Sequence, residues 1–174
     1  MKKSFFYFLF MFIAITSSAQ QIKGLQYLHM GVSQMENFGY RYYINYGNYF
    51  KERHTLRYGA SYHYYNNTSI DSHIKHVQAE ATYEYLLTEL KAVTLNVPVL
   101  GGIGYVDMHG TGVDGFSKQY NSITFSLASG VNINYVFKRL FQIGFHIKEH
   151  ITYYSGTYMT FFEVGPHFNI NLND

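Results

Sequence analysis

Apolar and polar residues alternate with a period of two along most of this chain, and this alternation constrains the fold more than any other feature. In residues 122–137 seven apolar side chains point one way, and small or uncharged polar ones point the other. Only Ser129 interrupts the apolar face. Successive side chains of a β-strand point to opposite sides, so this period indicates strands with one apolar face. Residues 76–86 repeat the pattern, and we therefore predict an all-β fold.

Eight segments with this alternation can be drawn along the chain. They are residues 24–33, 38–50, 55–66, 73–86, 92–106, 119–137, 140–153 and 158–172. Most exceed the roughly 5–6 residues of an ordinary strand and suit the roughly 9–11 that a tilted strand needs to cross a bilayer. We predict an eight-stranded antiparallel up-and-down transmembrane β-barrel. Both ends are then periplasmic, with short turns at 51–54, 87–91 and 138–139 and a longer outer loop at 107–118.

The first 19 residues predict a signal peptide rather than part of the fold. Lys2 and Lys3 precede an apolar run over residues 5–15, and small residues follow at 17–19. This order is typical of a secretory leader, with cleavage between Ala19 and Gln20. The apolar run is shorter than the roughly 20 residues of a membrane-spanning helix. We expect residues 20–174 to form a single β-barrel domain.

Composition favours a membrane barrel over a soluble barrel, which also alternates but faces its polar side outward. Charged residues make up 14% of the chain, against about 25% in soluble domains. Aromatic residues make up 20%, as the aromatic girdles of a membrane barrel require. We expect a Gram-negative outer-membrane location, with membrane lipid and the barrel-assembly machinery as partners.

Net charge argues against direct contact with nucleic acid. Removing Lys2 and Lys3 reduces the 13 basic residues to 11, which equals the 11 acidic residues. The mature chain is then neutral when its histidines are neutral. Such a balance provides no basic surface for a phosphate backbone.

The polar strand faces predict what fills the interior of the barrel. An eight-stranded lumen is just filled by side chains, and residues 122–134 contribute small ones to it. Because isolated buried charge is costly, we expect the larger polar groups to pair as a hydrogen-bonded plug. They are Arg41, Arg57, His63, Glu80, Glu84, His146 and Lys148. Strict alternation puts Glu149 on the lipid face instead, close to the membrane interface unless a bulge turns it inward.

The histidines offer a metal site as an alternative interpretation. The closest pairs are His73 with His76 and His146 with His150. The cation Lys148 lies on the same strand face between the second pair, which disfavours a metal ion there. We therefore expect lumen-filling histidines and no cofactor.

A lipid-modifying enzyme is a further alternative. Glu149, His150, Thr152 and Ser155 cluster near the outer end of the seventh predicted strand. A nucleophile needs a histidine base that a carboxylate orients. Glu149 and His150 point to opposite faces, however, and no motif marks a nucleophile, so we expect no enzymatic activity.

Two prolines lie inside predicted strands. Proline has no N–H to donate to the hydrogen-bond ladder, so we expect Pro98 and Pro166 each to mark a bulge or a strand end.

The last predicted strand carries the pattern Glu163-x-Gly165-x-x-Phe168-x-Ile170. It resembles the C-terminal signal by which outer-membrane barrels are recognised for insertion. An amphipathic strand that happens to contain a glycine is the simpler interpretation.

Several segments together resemble the conjugative transposon TraO family. They are Lys23-Gly24-Leu25, residues 76–86, residues 101–105, residues 145–150 with Ser155-Gly156, and residues 162–171. The resemblance covers nearly the whole mature chain. It implies a structural outer-membrane barrel subunit of a conjugative transfer apparatus, related to type IV secretion, with other conjugation proteins as partners. A stand-alone small barrel with an adhesive or membrane-stabilising role is the alternative that composition alone allows.

Overall fold

The computed structural model describes residues 23–36, 39–67, 72–111, 117–137, 140–154 and 156–173. Within them the chain forms eight strands: β1 (Gln26–Met35), β2 (Gly39–Lys51), β3 (His54–Asn67), β4 (Ser72–Leu90), β5 (Val93–Thr111), β6 (Ser117–Phe137), β7 (Phe141–Tyr154) and β8 (Thr157–Asn171). Each strand pairs antiparallel with the next, and β8 pairs with β1 to close the barrel. The predicted eight-stranded antiparallel barrel is confirmed. The expected signal peptide and its Ala19–Gln20 cleavage site lie outside the described residues.

Strand ends differ from the prediction mainly on β4, β5 and β6. The predicted loop over 107–118 is largely paired strand, since the ladder runs on from Asp107–Asn121 to Thr111–Ser117. Residues 107–118 are rich in glycine and polar residues and show no period-two alternation, so the sequence pattern does not mark a strand there although backbone pairing continues. β4 also runs on to Leu90, past a register shift between residues 86 and 88. A bulge adds one residue to one strand and so interrupts the alternation.

The prediction that the two prolines mark a bulge or a strand end is wrong. Pro98 lies within β5 and Pro166 within β8, and neither shifts the register. Instead, each removes pairing with one neighbour: β5–β6 pairing is missing at residues 97–98, and β8–β1 pairing is missing at 165–166. The ladder with the other neighbour holds each strand in place across the gap.

Side-chain burial alternates along the strands, with polar groups inside and apolar groups outside. On β7, His146 and Lys148 are buried while Phe145 and Ile147 are exposed. The same division holds around the barrel, where most buried side chains are polar and the exposed set is rich in large apolar ones. A soluble barrel has the opposite arrangement, whereas a barrel surrounded by lipid requires this one. Within the described ranges, no helix has the length and apolar character to cross a membrane.

Residues that are paired from one strand to the next form rows, and these rows slope along the barrel axis as they pass around the wall. One row starts at Gln26 on β1, passes through each strand in turn and reaches Phe162 on β8. Phe162 then accepts a backbone hydrogen bond from Glu36, ten residues beyond Gln26. This offset requires strands that tilt strongly against the barrel axis, typically by about 35–45°. Residues distant in strand order therefore meet inside the lumen.

Candidate functional site in the barrel lumen

Glu163 on β8 is the centre of the polar network inside the barrel. Its side chain is fully buried. Its Oε1 atom accepts hydrogen bonds from Arg41 Nη1 at 2.7 Å and Ser33 Oγ at 2.8 Å, and His146 Nε2 lies 2.7 Å away. The ring of His150 contacts Oε2. One carboxylate therefore links β8 with β1, β2 and β7.

Arg41 on β2 extends this network to β4. Its Nη2 donates to Glu80 Oε2 at 2.5 Å, while Nη1 donates to Glu163. Glu80 also accepts hydrogen bonds from Asn45 Nδ2 and Ser61 Oγ, both at 2.9 Å. A guanidinium presents five N–H donors in a rigid plane, so it can bridge two carboxylates that a lysine could not bridge with the same geometry.

A second ion pair lies nearer the periplasmic end of the lumen. Arg57 Nη2 lies 2.6 Å from Glu84 Oε2, which also accepts a hydrogen bond from Asn132 Nδ2 at 3.0 Å. Arg57 Nη1 lies 3.2 Å from His29 Nε2. This pair joins β1, β3, β4 and β6, so the two ion-paired groups together involve seven of the eight strands.

The buried charges of the described lumen balance. Three cations and three carboxylates are buried: Arg41, Arg57, Lys148, Glu80, Glu84 and Glu163. Lys148 Nζ lies 3.9 Å from Glu163 Oε1. Pairing of this kind offsets the several kcal/mol that each buried ion would otherwise cost. The lumen is therefore neutral as long as its buried histidines are neutral.

All seven residues of the predicted plug point into the lumen. The structure buries Arg41, Arg57, His63, Glu80, Glu84, His146 and Lys148. Six of them join the two ion-paired groups described above. His63 lies beside them, with Nε2 3.0 Å from Ser61 Oγ and its ring edge-on to His76 at a centroid distance of 4.6 Å.

Sequence reasoning missed the central residue of the network. It assigned Glu163 to the insertion signal alone, although Glu163 alternates with Phe162 and Val164 and so shares the inner face with Gly165 and His167. That alternation was the signal that could have revealed it. Serine and asparagine partners such as Ser33 were also missed, because uncharged polar residues on an inner face look alike in sequence.

Apolar and aromatic side chains close the lumen on both sides of the network. At the outer end, Met35, Tyr65 and Phe161 form a buried cluster. The cavity beside it measures about 20 Å³, which is room for about one water molecule. At the periplasmic end, the rings of Tyr27 and Tyr49 pack with centroids 5.0 Å apart. The described lumen is therefore a packed interior rather than a wide pore.

The structure separates the residues of the alternative enzyme site. His150 and Thr152 point inward, and Thr152 Oγ1 lies 3.0 Å from Ser126 Oγ. Glu149 is exposed on the opposite face, and Ser155 lies outside the described residues. Among the described residues, no group of three or more His, Cys, Asp or Glu side chains could hold a metal ion.

Glu149 faces the lipid side of β7, as its alternation predicts. It lies between the exposed residues Ile147 and Ile151, and no register shift occurs on either side of it. Its cross-strand neighbour Ser129 is also exposed and donates from Oγ to the carbonyl oxygen of Pro98 at 3.1 Å. A bulge that turns Glu149 inward is therefore excluded.

The insertion-signal residues divide between the two faces of β8. Phe168 and Ile170 are exposed on the outer wall, while Glu163 and Gly165 are buried. This division is what an amphipathic strand produces. Recognition by the assembly machinery remains a prediction.

Comparisons with known proteins bear on the fold. No protein-family model matches the chain, and no curated protein matches it. Among solved structures it is similar to a major outer membrane protein from Thermus thermophilus, with a TM-score of 0.61 and 9% identity over 86% of this chain and 99% of that one. The fold is that of a small outer-membrane β-barrel.

Two further outer-membrane barrels have similar structures. Ail, the attachment invasion locus protein of Yersinia pestis, aligns with a TM-score of 0.53 and 11% identity over 86% of this chain and 100% of that one. Neisserial surface protein A aligns with a TM-score of 0.53 and 13% identity over 85% of this chain and 95% of that one. Identities this low establish the shared barrel fold and no more.

Proposed function

We propose that this barrel is a structural, non-enzymatic subunit in the outer-membrane part of a conjugative transfer apparatus. The observation that supports a structural role is the filled lumen, in which Arg41 binds Glu80 and Glu163 at the centre. The major groove of duplex DNA alone is about 12 Å wide, and an eight-stranded interior is filled by its own side chains. DNA therefore does not pass through this barrel.

The conjugation part of the proposal rests on the resemblance to the TraO family. It is carried by segments such as residues 76–86 and 162–171, which lie on β4 and β8. These strands contribute Glu80 and Glu163 to the central network. A structural subunit of this kind would contact its partners through its outer wall and its turns.

The second candidate is a stand-alone barrel with an adhesive or membrane-stabilising role. The similarity to Ail, whose name refers to attachment and invasion, favours it. Fold similarity at this identity does not transfer that role, so the two candidates have to be separated by experiment.

An in-frame deletion in a donor strain separates the two candidates. We expect transfer of the mobile element to recipients to be lost, and expression of the chain from a plasmid to restore it. A heat-modifiable band in the salt-washed outer-membrane fraction would establish that the complementing barrel is folded.

Resistance of the deletion strain to detergent and its attachment to surfaces serve as the parallel measurement. Normal transfer with weakened envelope or attachment would replace the conjugation proposal with the second candidate. Normal results in all three assays would reject both.

A further inference from the structure

An apolar groove crosses the outer wall of the barrel from β8 to β4. Its volume is about 600 Å³. Ala60 on β3 contributes only a methyl group to its floor, while Met30, Tyr42, Tyr62 and Phe168 stand around it. The groove is lined by aliphatic and aromatic side chains, a surface that suits a hydrocarbon chain.

The groove runs obliquely through the apolar band of the membrane. Phe168, at one end, is three residues from the periplasmic end of β8 at Asn171, whereas Val77, at the other, is five residues from the outer end of β4 at Ser72. This slope follows from the tilt of the strands, because the groove follows cross-strand rows.

A lysine stands above the outer end of the groove. Lys75 is exposed on the same face of β4 as Val77, two residues closer to the outer end of the strand. Its neighbours across the ladder are Tyr64 and Asp107, and Asp107 contacts His109 at 3.1 Å. Among the described residues, no carboxylate oxygen lies within 4.0 Å of the Lys75 ammonium. An ammonium group at this position complements a phosphate at the membrane surface.

We propose that this groove binds lipid A, the phosphorylated and acylated lipid of the outer leaflet. One acyl chain lies along Ala60, Tyr62 and Val77, and a phosphate group binds Lys75. The inference uses only the outer wall, so it does not depend on the role in conjugation.

Retention of lipid by the purified, folded barrel tests this proposal. The barrel is incubated in detergent with purified lipid A, or with phosphatidylethanolamine, and bound lipid is counted by native mass spectrometry. We expect one retained lipid A per wild-type barrel. Ala60→Phe, which fills the groove, and Lys75→Gln, which removes the cation, should each weaken retention roughly tenfold, the effect of losing one modest interaction.

Ala81→Phe is the matched control. Ala81 is also an exposed alanine on the outer face, but it lies outside the groove, opposite Tyr58 and Gly101. It should retain lipid A like the wild type. Equal losses in Ala81→Phe and Ala60→Phe, equal retention of phosphatidylethanolamine, or no retention by the wild type would each overturn the proposal. Lys75→Gln, which changes only a surface charge, keeps the test decisive if Ala60→Phe fails to fold.

Discussion

At the scale of single residues, we expect Arg41 to contribute most to the stability of the fold, because its guanidinium forms ion pairs with two buried carboxylates. In Arg41→Met, Glu80 and Glu163 lose their ion pairs with this residue and keep only weaker partners. We expect the free energy of unfolding to fall by about 3–5 kcal/mol, as when one partner of a buried pair is removed. Urea titration of the barrel in lipid vesicles, read by the gel mobility of the folded form, measures it.

Arg53→Met provides the control for that experiment. Arg53 is exposed in the turn between β2 and β3, so its replacement should change the free energy of unfolding by no more than about 0.5 kcal/mol. Equal stabilities of the two variants would mean that the central network adds little to the fold.

Gly130 shows how closely the inner wall is packed. A Cβ atom added to it would overlap the carbonyl oxygen of Ile147 and lie 2.7 Å from Cα of Lys148, both backbone atoms of β7. Gly130→Ala should therefore lower the free energy of unfolding by about 1–3 kcal/mol, the usual cost of overpacking. At Gly101 the nearest atom to an added Cβ is 4.0 Å away. In the same urea titration Gly101→Ala should be neutral, and a similar loss there would contradict the packing explanation.

At the scale of strands, β7 carries the one acidic side chain that lies between apolar neighbours on the described outer wall. Glu149→Leu removes a charge from between Ile147 and Ile151. We expect the free energy of unfolding in a bilayer to rise by about 1 kcal/mol, since an acidic group costs less than a basic one on the lipid face and costs least near the interface. Glu52→Leu in an exposed turn should have no such effect. A loss of stability in Glu149→Leu would show that this carboxylate makes a favourable interaction in the membrane.

β8 allows its role in assembly to be separated from its role in packing. Phe168 and Phe162 are both exposed on the outer face of this strand, but only Phe168 belongs to the insertion pattern. Phe168→Ala should reduce the heat-modifiable form in the outer membrane of cells more than Phe162→Ala does. Both variants should refold equally well in vesicles. Equal yields in cells would leave the pattern as simple amphipathic alternation.

At the scale of the whole molecule, the described lumen holds a charge-balanced network with apolar and aromatic clusters on both sides of it, so no open channel runs through this part of the barrel. Reconstituted in a planar bilayer, the wild-type barrel should give no porin-like conductance steps, because its lumen is filled by side chains. A porin in the same bilayer is the positive control. Regular conductance steps from the wild type would contradict the closed lumen and with it the structural role.

Local alternation in the chain was enough to establish the number of strands, the two faces of each strand and the seven plug residues. These properties follow from strand geometry alone, since adjacent side chains of a strand point to opposite sides. The pattern did not predict the paired strand at residues 107–111, where glycine and polar residues interrupt the alternation but backbone pairing continues. The pattern also did not predict the loss of pairing with one neighbouring strand at Pro98 and Pro166, because backbone pairing changes there while side-chain polarity does not.

Only the tertiary structure determines which polar side chains in the lumen contact one another. Glu163 accepts a hydrogen bond from Arg41, 122 residues away in sequence. The two residues meet because closure of the barrel pairs β8 with β1, which places β2 and its Arg41 only two strands away from Glu163 on the inner wall. No local pattern in the sequence specifies the stagger between strands, and this stagger determines that Glu163 and Arg41 come into contact. The groove beneath Lys75 arises in the same way, from side chains of five strands that share sloping rows. Alternation therefore specifies the wall of the barrel, whereas closure and tilt specify what its residues bind.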